Sequence, residues 1–382
     1  MIFEDDGSDP ESAGFPSTAE VEQLHSSLTT EERDELLQCL LIAAPRGGEA
    51  MIRVLENVLL CHATEELIME RKTHPHAPAN GRLFDAYLMV DWSASSVPKK
   101  GKDSIWYCLI RDGMVAALAN PSTRSRAVAE IETILLQLVK ERCSVLVGFD
   151  FPYSYPAGLS ASLGLGSGTP PWRAIWQQWS RLVEDEDTNH NERFVMAAEL
   201  NRRLSHDGRL GPFWGCPRSL AAASGLSTTR PRTMRFRERR LTEERVRRTQ
   251  PAWKLCYPGS VGSQALLGIP RLEYLRTHPQ LAPVSRVWPF EWDESVEQAL
   301  REHRLLVLHA EVYPSLIKVE PGPGEVKDEV QVRELARFFA EKDSAGQLCD
   351  LLREPWRLAG KERQAVLEEE GWILGVAADE KG

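Results

Sequence analysis

FDAYLMVDWSASSVP, residues 84–98, is the stretch on which the reading of this chain turns. Phe84, Tyr87, Leu88, Met89 and Val90 make a short apolar run, which predicts a strand buried on both faces, and the run stops at Asp91. Two later runs also end in acids: SVLVGFDFP carries Asp150 and LLVLHAEVYP carries Glu311. A fourth acid, Asp328, opens a predicted helix. Carboxylates at one edge of neighbouring strands can hold two divalent cations, the arrangement that polarises a phosphodiester and activates water. The expectation is that Asp91, Asp150, Glu311 and Asp328 meet in space.

The surrounding pattern supplies the strands this needs. SIWYCLIRD and MVAALAN flank Asp112-Gly113, a hairpin signal, so the first three strands should be antiparallel neighbours. Residues 125–142 read as an amphipathic helix before the apolar strand 144–150, which implies a crossover. From 151 to about 300 the chain reads as long and irregular, with helices expected at 191–204 and 262–278. Trp172, Trp176 and Trp179 recur at helical spacing, which predicts one face packed in a core, with stacking on bases as the sharper alternative. Gly164, Gly166 and Gly168 lack the Gly-Lys-Ser/Thr of a phosphate loop and read as a flexible connection.

Composition narrows the class. The net charge of −10 argues against a chain that coats nucleic acid along its whole surface, and 42% hydrophobic residues can fill a sizeable core. Seven cysteines, none in a CxxC pair, point to a reducing, cytoplasmic setting. No apolar run approaches a membrane span, and the acidic start MIFEDDGSDPES lacks a signal peptide's positive region, so no membrane association is expected. Residues 1–18 read as a disordered tail, 19–72 as a small helical module that recruits a protein partner or self-associates, and 73–81 as a linker whose His74 and His76 face solvent.

Each acid also has a structural explanation. Asp91 suits a turn, and Asp328 with Gln331 three residues on matches a helix cap. Asp150 and Glu311 are harder to place so, because a carboxylate following such apolar runs is costly to bury unpaired. Ser93 and Ser95 stand outside any GxSxG motif and have no assignable histidine base, which argues against a serine nucleophile.

The strand order and the phrases VDWSAS, GFDFPYS, EVYPS and KDEVQ resemble a bacterial family of unknown function classed as predicted RNase H-like nucleases. The resemblance also takes in SVGSQALLGIP (260–270) and EEGWILG (369–375). It implies an RNase H-like α/β domain over residues 82–377, with a mixed five-stranded sheet and an insertion over about 151–304. It further implies that Asp91, Asp150, Glu311 and Asp328 bind Mg2+ or Mn2+ and are catalytic. Between Arg230 and Arg248 stand nine arginines against three glutamates. From this segment Arg235, Arg237, Arg239 and Arg240, with Lys254 beyond it, are expected to grip nucleic acid, against the alternative of a helix laced by Glu–Arg pairs. The resulting expectation is a metal-dependent nuclease. The alternatives are a catalytically silent nucleic-acid-binding or scaffold protein of the same fold and an actin-like small-molecule phosphotransferase.

Overall fold

The computed structural model describes residues 82–379, except 167, 206–210, 247 and 258. The expected tail, helical module and linker lie outside the described residues. Six strands form one mixed sheet: β1 (Ala86–Asp91), β2 (Trp106–Arg111), β3 (Met114–Ala119), β4 (Val145–Phe149), β5 (Ser285–Val287) and β6 (Val307–Glu311), in the order β3-β2-β1-β4-β6-β5.

The sequence dictates much of this arrangement locally. Asp112 and Gly113 have φ of 53° and 75°, the paired positive values that a tight hairpin turn needs, and β2 and β3 pair antiparallel about them. Helix α1 (Arg124–Lys140) then returns the chain, and β4 lies parallel to β1. In α1, Ala127, Val128, Ile131, Leu135 and Leu138 form the buried stripe, and the Thr123 hydroxyl accepts from the Arg126 N–H at 3.3 Å to cap it. Gly148 lets β4 sit close to its neighbours: a Cβ there would come within 2.4 Å of Met89 Sδ and 2.7 Å of Val312.

The segment after β4 is more ordered than its composition suggests. Helices α2 (Pro171–Leu182), α3 (Arg193–Leu204) and α4 (Gly262–Thr277) precede β5, and α5 (Glu294–Arg301) joins β5 to β6. The five-stranded expectation is thus corrected to six: Ser285–Val287 adds a three-residue edge strand parallel to β6. Trp172, Trp176 and Trp179 are all buried on α2, so the core reading holds and base stacking is excluded for them. Tyr153 packs edge-on against Trp176 and Tyr155 against Trp179, with Tyr155 also stacked on Trp253 at 4.8 Å between ring centres, in an aromatic core of the insertion.

Helix α6 (Lys327–Ser344) covers one face of the sheet. Val332, Leu335, Ala336 and Phe339 pack in one core with Tyr87, Met89, Cys108, Ile110, Leu146 and Leu308. Each fully buried side chain of this size contributes about 1.5–3 kcal/mol. At the far end of α6, Asp343 accepts from the Leu83 and Phe84 N–H groups and from the Tyr87 hydroxyl, which pins the start of β1. With both ends of β1 fixed, Asp91 and the start of α6 are held at one edge of the sheet. Among the described residues no helix is long and apolar enough to cross a membrane.

Candidate active site

The register of two parallel strands puts the first pair of acids together. Val90 pairs with Phe149, and the Asp150 N–H donates to the Val90 carbonyl at 3.2 Å, so Asp91 and Asp150 emerge side by side where β1 and β4 end. Asp150 Oδ1 accepts from the Trp92 N–H at 2.7 Å. Asp328, in the first turn of α6, accepts on Oδ2 from the Asp103 N–H at 2.6 Å. All three acids, with Asp103, line one cleft of about 500 Å3.

The loop that leaves β1 is fixed from behind. Arg124 is fully buried, holds Asp185 through Nε at 2.8 Å and Nη2, and donates from Nη1 to the Ser93 and Ser95 carbonyls at 3.0 and 2.8 Å. Gln264 of α4 donates to the Trp92 carbonyl. Ser93 and Ser95 therefore belong to a held turn, and the acids beside them sit on rigid supports.

The electrostatics of the trio are unfavourable without a cation. Burial first, then the Asp150 carboxylate and a hydrogen bond to it, then Asp328 and Asp103, hold Asp91 well above the usual carboxylate range. Asp150 is pushed up to about 6 by burial, offset in part by the Trp92 N–H and by the hydrogen bond with Asp91. Burial also raises Asp328, while the Asp103 N–H opposes the rise. Asp91 is thus easier to protonate beside Asp150, and a positive ion would relieve the same repulsion.

The fourth acid is elsewhere. Glu311, 3% exposed, accepts from Arg240 on both oxygens, at 2.7 and 2.6 Å, and from the Tyr153 N–H at 3.0 Å. It does not line the cleft. Its place in the expected metal set is corrected: burial demanded a partner, and the partner is a guanidinium. Arg240 is corrected with it. Completely buried, it also holds Glu243 at 2.8 Å and the Glu370 carbonyl at 3.0 Å, so it cannot reach a ligand.

None of the other expected grips lines the cleft either. Arg237 pairs with the buried Glu370 and with Glu244 at 3.6 Å, Arg239 donates to the Thr249 carbonyl at 2.8 Å, and Lys254 donates to Gln250 at 2.9 Å. Arg235 is exposed, 5.8 Å from the Phe236 ring centre. The Arg-rich segment does fold over the edge where β6 ends, as its place in the chain suggested, and it serves there as a clamp.

Sequence reasoning missed Asp103, Arg193, Arg248 and Gln264 among the cleft residues. Arg193 carried a legible signal: it opens α3, and a cation at a helix N-terminus opposes the helix dipole. Asp103 and Gln264 carried none, since an acid in a lysine-rich loop and a glutamine on a helix are ordinary.

A divalent cation is the expectation carried by the RNase H-like resemblance. Among the described residues no three His, Cys, Asp or Glu side chains form a ready-made ligand cage. Mg2+ does not require one, because it keeps several waters and is bound through one or two carboxylates together with substrate phosphates. The paired oxygens of Asp91 and Asp150, with Asp328 in the same cleft, fit that mode. No family model matches this chain, and comparison with curated proteins and with solved structures finds no match.

Proposed function

We propose that this chain is a Mg2+- or Mn2+-dependent phosphodiesterase of RNase H-like fold that hydrolyses nucleic acid. One observation carries the reading: Asp91, Asp150 and Asp328 converge on a cleft, and burial and mutual repulsion raise their proton affinity. The topology supports it. Three antiparallel strands followed by a parallel β4 and β6 follow the order that the RNase H-like resemblance implies, with β5 appended at the edge.

In this reading Asp91, Asp150 and, from the first turn of α6, Asp328 would hold the cation once deprotonated. A bound Mg2+ or Mn2+ supplies Lewis acidity toward a phosphoryl oxygen and makes water a nucleophile near neutral pH. The Trp92 N–H orients Asp150, the Asp103 N–H orients Asp328, and Arg124 keeps the turn after Asp91 from moving. Because burial pushes Asp150 up to about 6 and holds Asp91 well above the usual carboxylate range, cation binding and activity should rise as pH increases from below 6.

The test is cleavage of end-labelled single- and double-stranded DNA and RNA in Mn2+, comparing wild type with Asp91→Asn plus Asp150→Asn. The reading expects cleavage by wild type that is lost in the double variant. Cleavage that survives in the double variant would falsify it. A second reading is favoured by the loss of Glu311 from the acid set: a nucleic-acid-binding protein of this fold without activity, which predicts Mn2+-independent binding and no product.

A further inference from the structure

The same cleft also carries charge of the opposite sign. Arg193 and Arg248 line it together with the four aspartates. Other arginines held inside the fold are neutralised: Arg124 and Arg271 by Asp185, Arg276 by Glu291, Arg240 by Glu311 and Glu243. Arg193 differs. Its Nε donates to Ser263 Oγ at 3.0 Å, and its Nη1 donates to Ser96 Oγ at 2.8 Å and Asn191 Oδ1 at 2.7 Å. All three acceptors are neutral, and among the described residues no carboxylate is within ion-pair distance of Arg193. Nη2 makes no hydrogen bond to the described residues, so two N–H donors remain for a ligand.

Three further features fit an anion beside Arg193. The guanidinium lies 4.6 Å from the Phe194 ring centre, which with its three hydrogen bonds fixes the fork in place. Ser263 is itself locked, donating to the Leu255 carbonyl at 2.6 Å. Ser260, Val261, Ser263 and Gln264 bring the start of the sixteen-residue α4 to the cleft, and no side chain caps that helix end. The close start of α4 requires Gly262, where a Cβ would meet the Ala252 and Lys254 carbonyls at 2.5 and 2.6 Å.

We propose that Arg193 is the phosphate-binding residue of this site, gripping a non-bridging phosphate oxygen through Nη2 in the cleft that Asp91, Asp150 and Asp328 also line. The inference rests on the phosphodiesterase reading and deepens it: the substrate is an anion whose phosphate spans the cleft from the carboxylates to Arg193. Arg193 is a binding and positioning residue that exchanges no proton. Arg248, exposed at the rim, is placed to meet a neighbouring phosphate.

The experiment separates the two claims. Binding of a short labelled oligonucleotide, and of inorganic phosphate as competitor, is measured in the Asp91→Asn plus Asp150→Asn background, which removes cleavage and most of the repulsion. Adding Arg193→Gln should weaken oligonucleotide binding about 10- to 100-fold, the loss expected for charge-assisted hydrogen bonds. It should also lower the slope of log K against log salt by about one phosphate contact. Arg193→Lys keeps the charge and should keep the slope while losing affinity; Arg193→Met provides a second neutral variant should Arg193→Gln fail to fold. Unchanged affinity and slope in a folded neutral variant overturns the proposal, as does a background protein that binds neither probe. Arg193-dependent binding without any Mn2+-dependent cleavage by wild type would instead overturn the phosphodiesterase reading and leave the phosphate site standing.

Discussion

Two groups of acids lie at the same edge of this sheet, Glu311 and Glu370 buried, Asp91 and Asp150 half-buried at the cleft, and they have opposite electrostatic fates. Glu311, at the end of β6, is fully answered by Arg240, and Glu370 nearby accepts from Arg237 and from the Leu241 N–H at 2.7 Å. Asp91 and Asp150, at the ends of β1 and β4, have each other and the Trp92 N–H, and among the described residues no cationic side chain pairs with them. The first group holds the insertion onto the sheet. The second stores repulsion that only a proton or a metal ion relieves. A carboxylate after an apolar strand therefore announces a partner without saying which kind, and the unanswered pair is where chemistry belongs.

The comparison can be broken first at the clamp. Arg240→Met should destabilise the folded chain by about 3–5 kcal/mol, because Glu311 and Glu243 would be left buried without a counter-charge. Chemical denaturation checks this, and a change under 1 kcal/mol would mean the clamp is not what holds the insertion. Next in size is the response of the acid pair to a cation. At a hundredfold excess over its dissociation constant, Mn2+ should stabilise wild type by about 2.7 kcal/mol, a gain missing from Asp150→Asn in thermal melts.

The acid pair should also respond to removal of its own charge. A carboxyl whose folded pKa lies above its unfolded value makes the folded state bind the extra proton, so stability is lost as pH rises from about 4 through 6. Asp150→Asn should therefore raise stability at pH 8 by about 1–3 kcal/mol, taking roughly 1.4 kcal/mol per pKa unit, while lowering activity. A destabilised Asp150→Asn would contradict the view of this pair as uncompensated. The smallest effect belongs to Asp328→Asn, since Asp328 is less buried and its N–H partner is an exposed loop: stability within about 0.5 kcal/mol of wild type, with weaker Mn2+ binding.

His309 supplies an independent pH signature. It is buried in β6 against the Ser285 hydroxyl, and burial pushes its pKa down to about 3. The unfolded chain takes up a proton that the folded chain refuses, so stability should fall as pH drops from about 6.5 toward 3. His309→Gln should flatten that acid limb in denaturation curves.

How much was legible in the chain follows from the same contrast. β1, β4, β6 and the Asp112-Gly113 hairpin are written in local pattern, because burial on both faces forces continuous apolar runs. β5 is three residues long and carries no period of its own, so only pairing with β6 reveals it. Asp91 and Asp150 could be brought together from strand order, whereas Asp328 opens a helix and strand order does not place it. Glu311 could not be told apart from them, since its partner Arg240 stands 71 positions away in a segment whose composition looked like a surface grip. Arg193 is the reverse case: nothing near it in sequence marks it except a charge at the wrong end of a helix.

The most direct test is Mn2+ electron paramagnetic resonance with a short oligonucleotide present, comparing wild type with Asp91→Asn plus Asp150→Asn. A protein-bound Mn2+ signal that the double substitution abolishes is the result predicted. Equal Mn2+ binding by both proteins would show that the paired aspartates are not the cation site, and the hydrolytic account would fall with them.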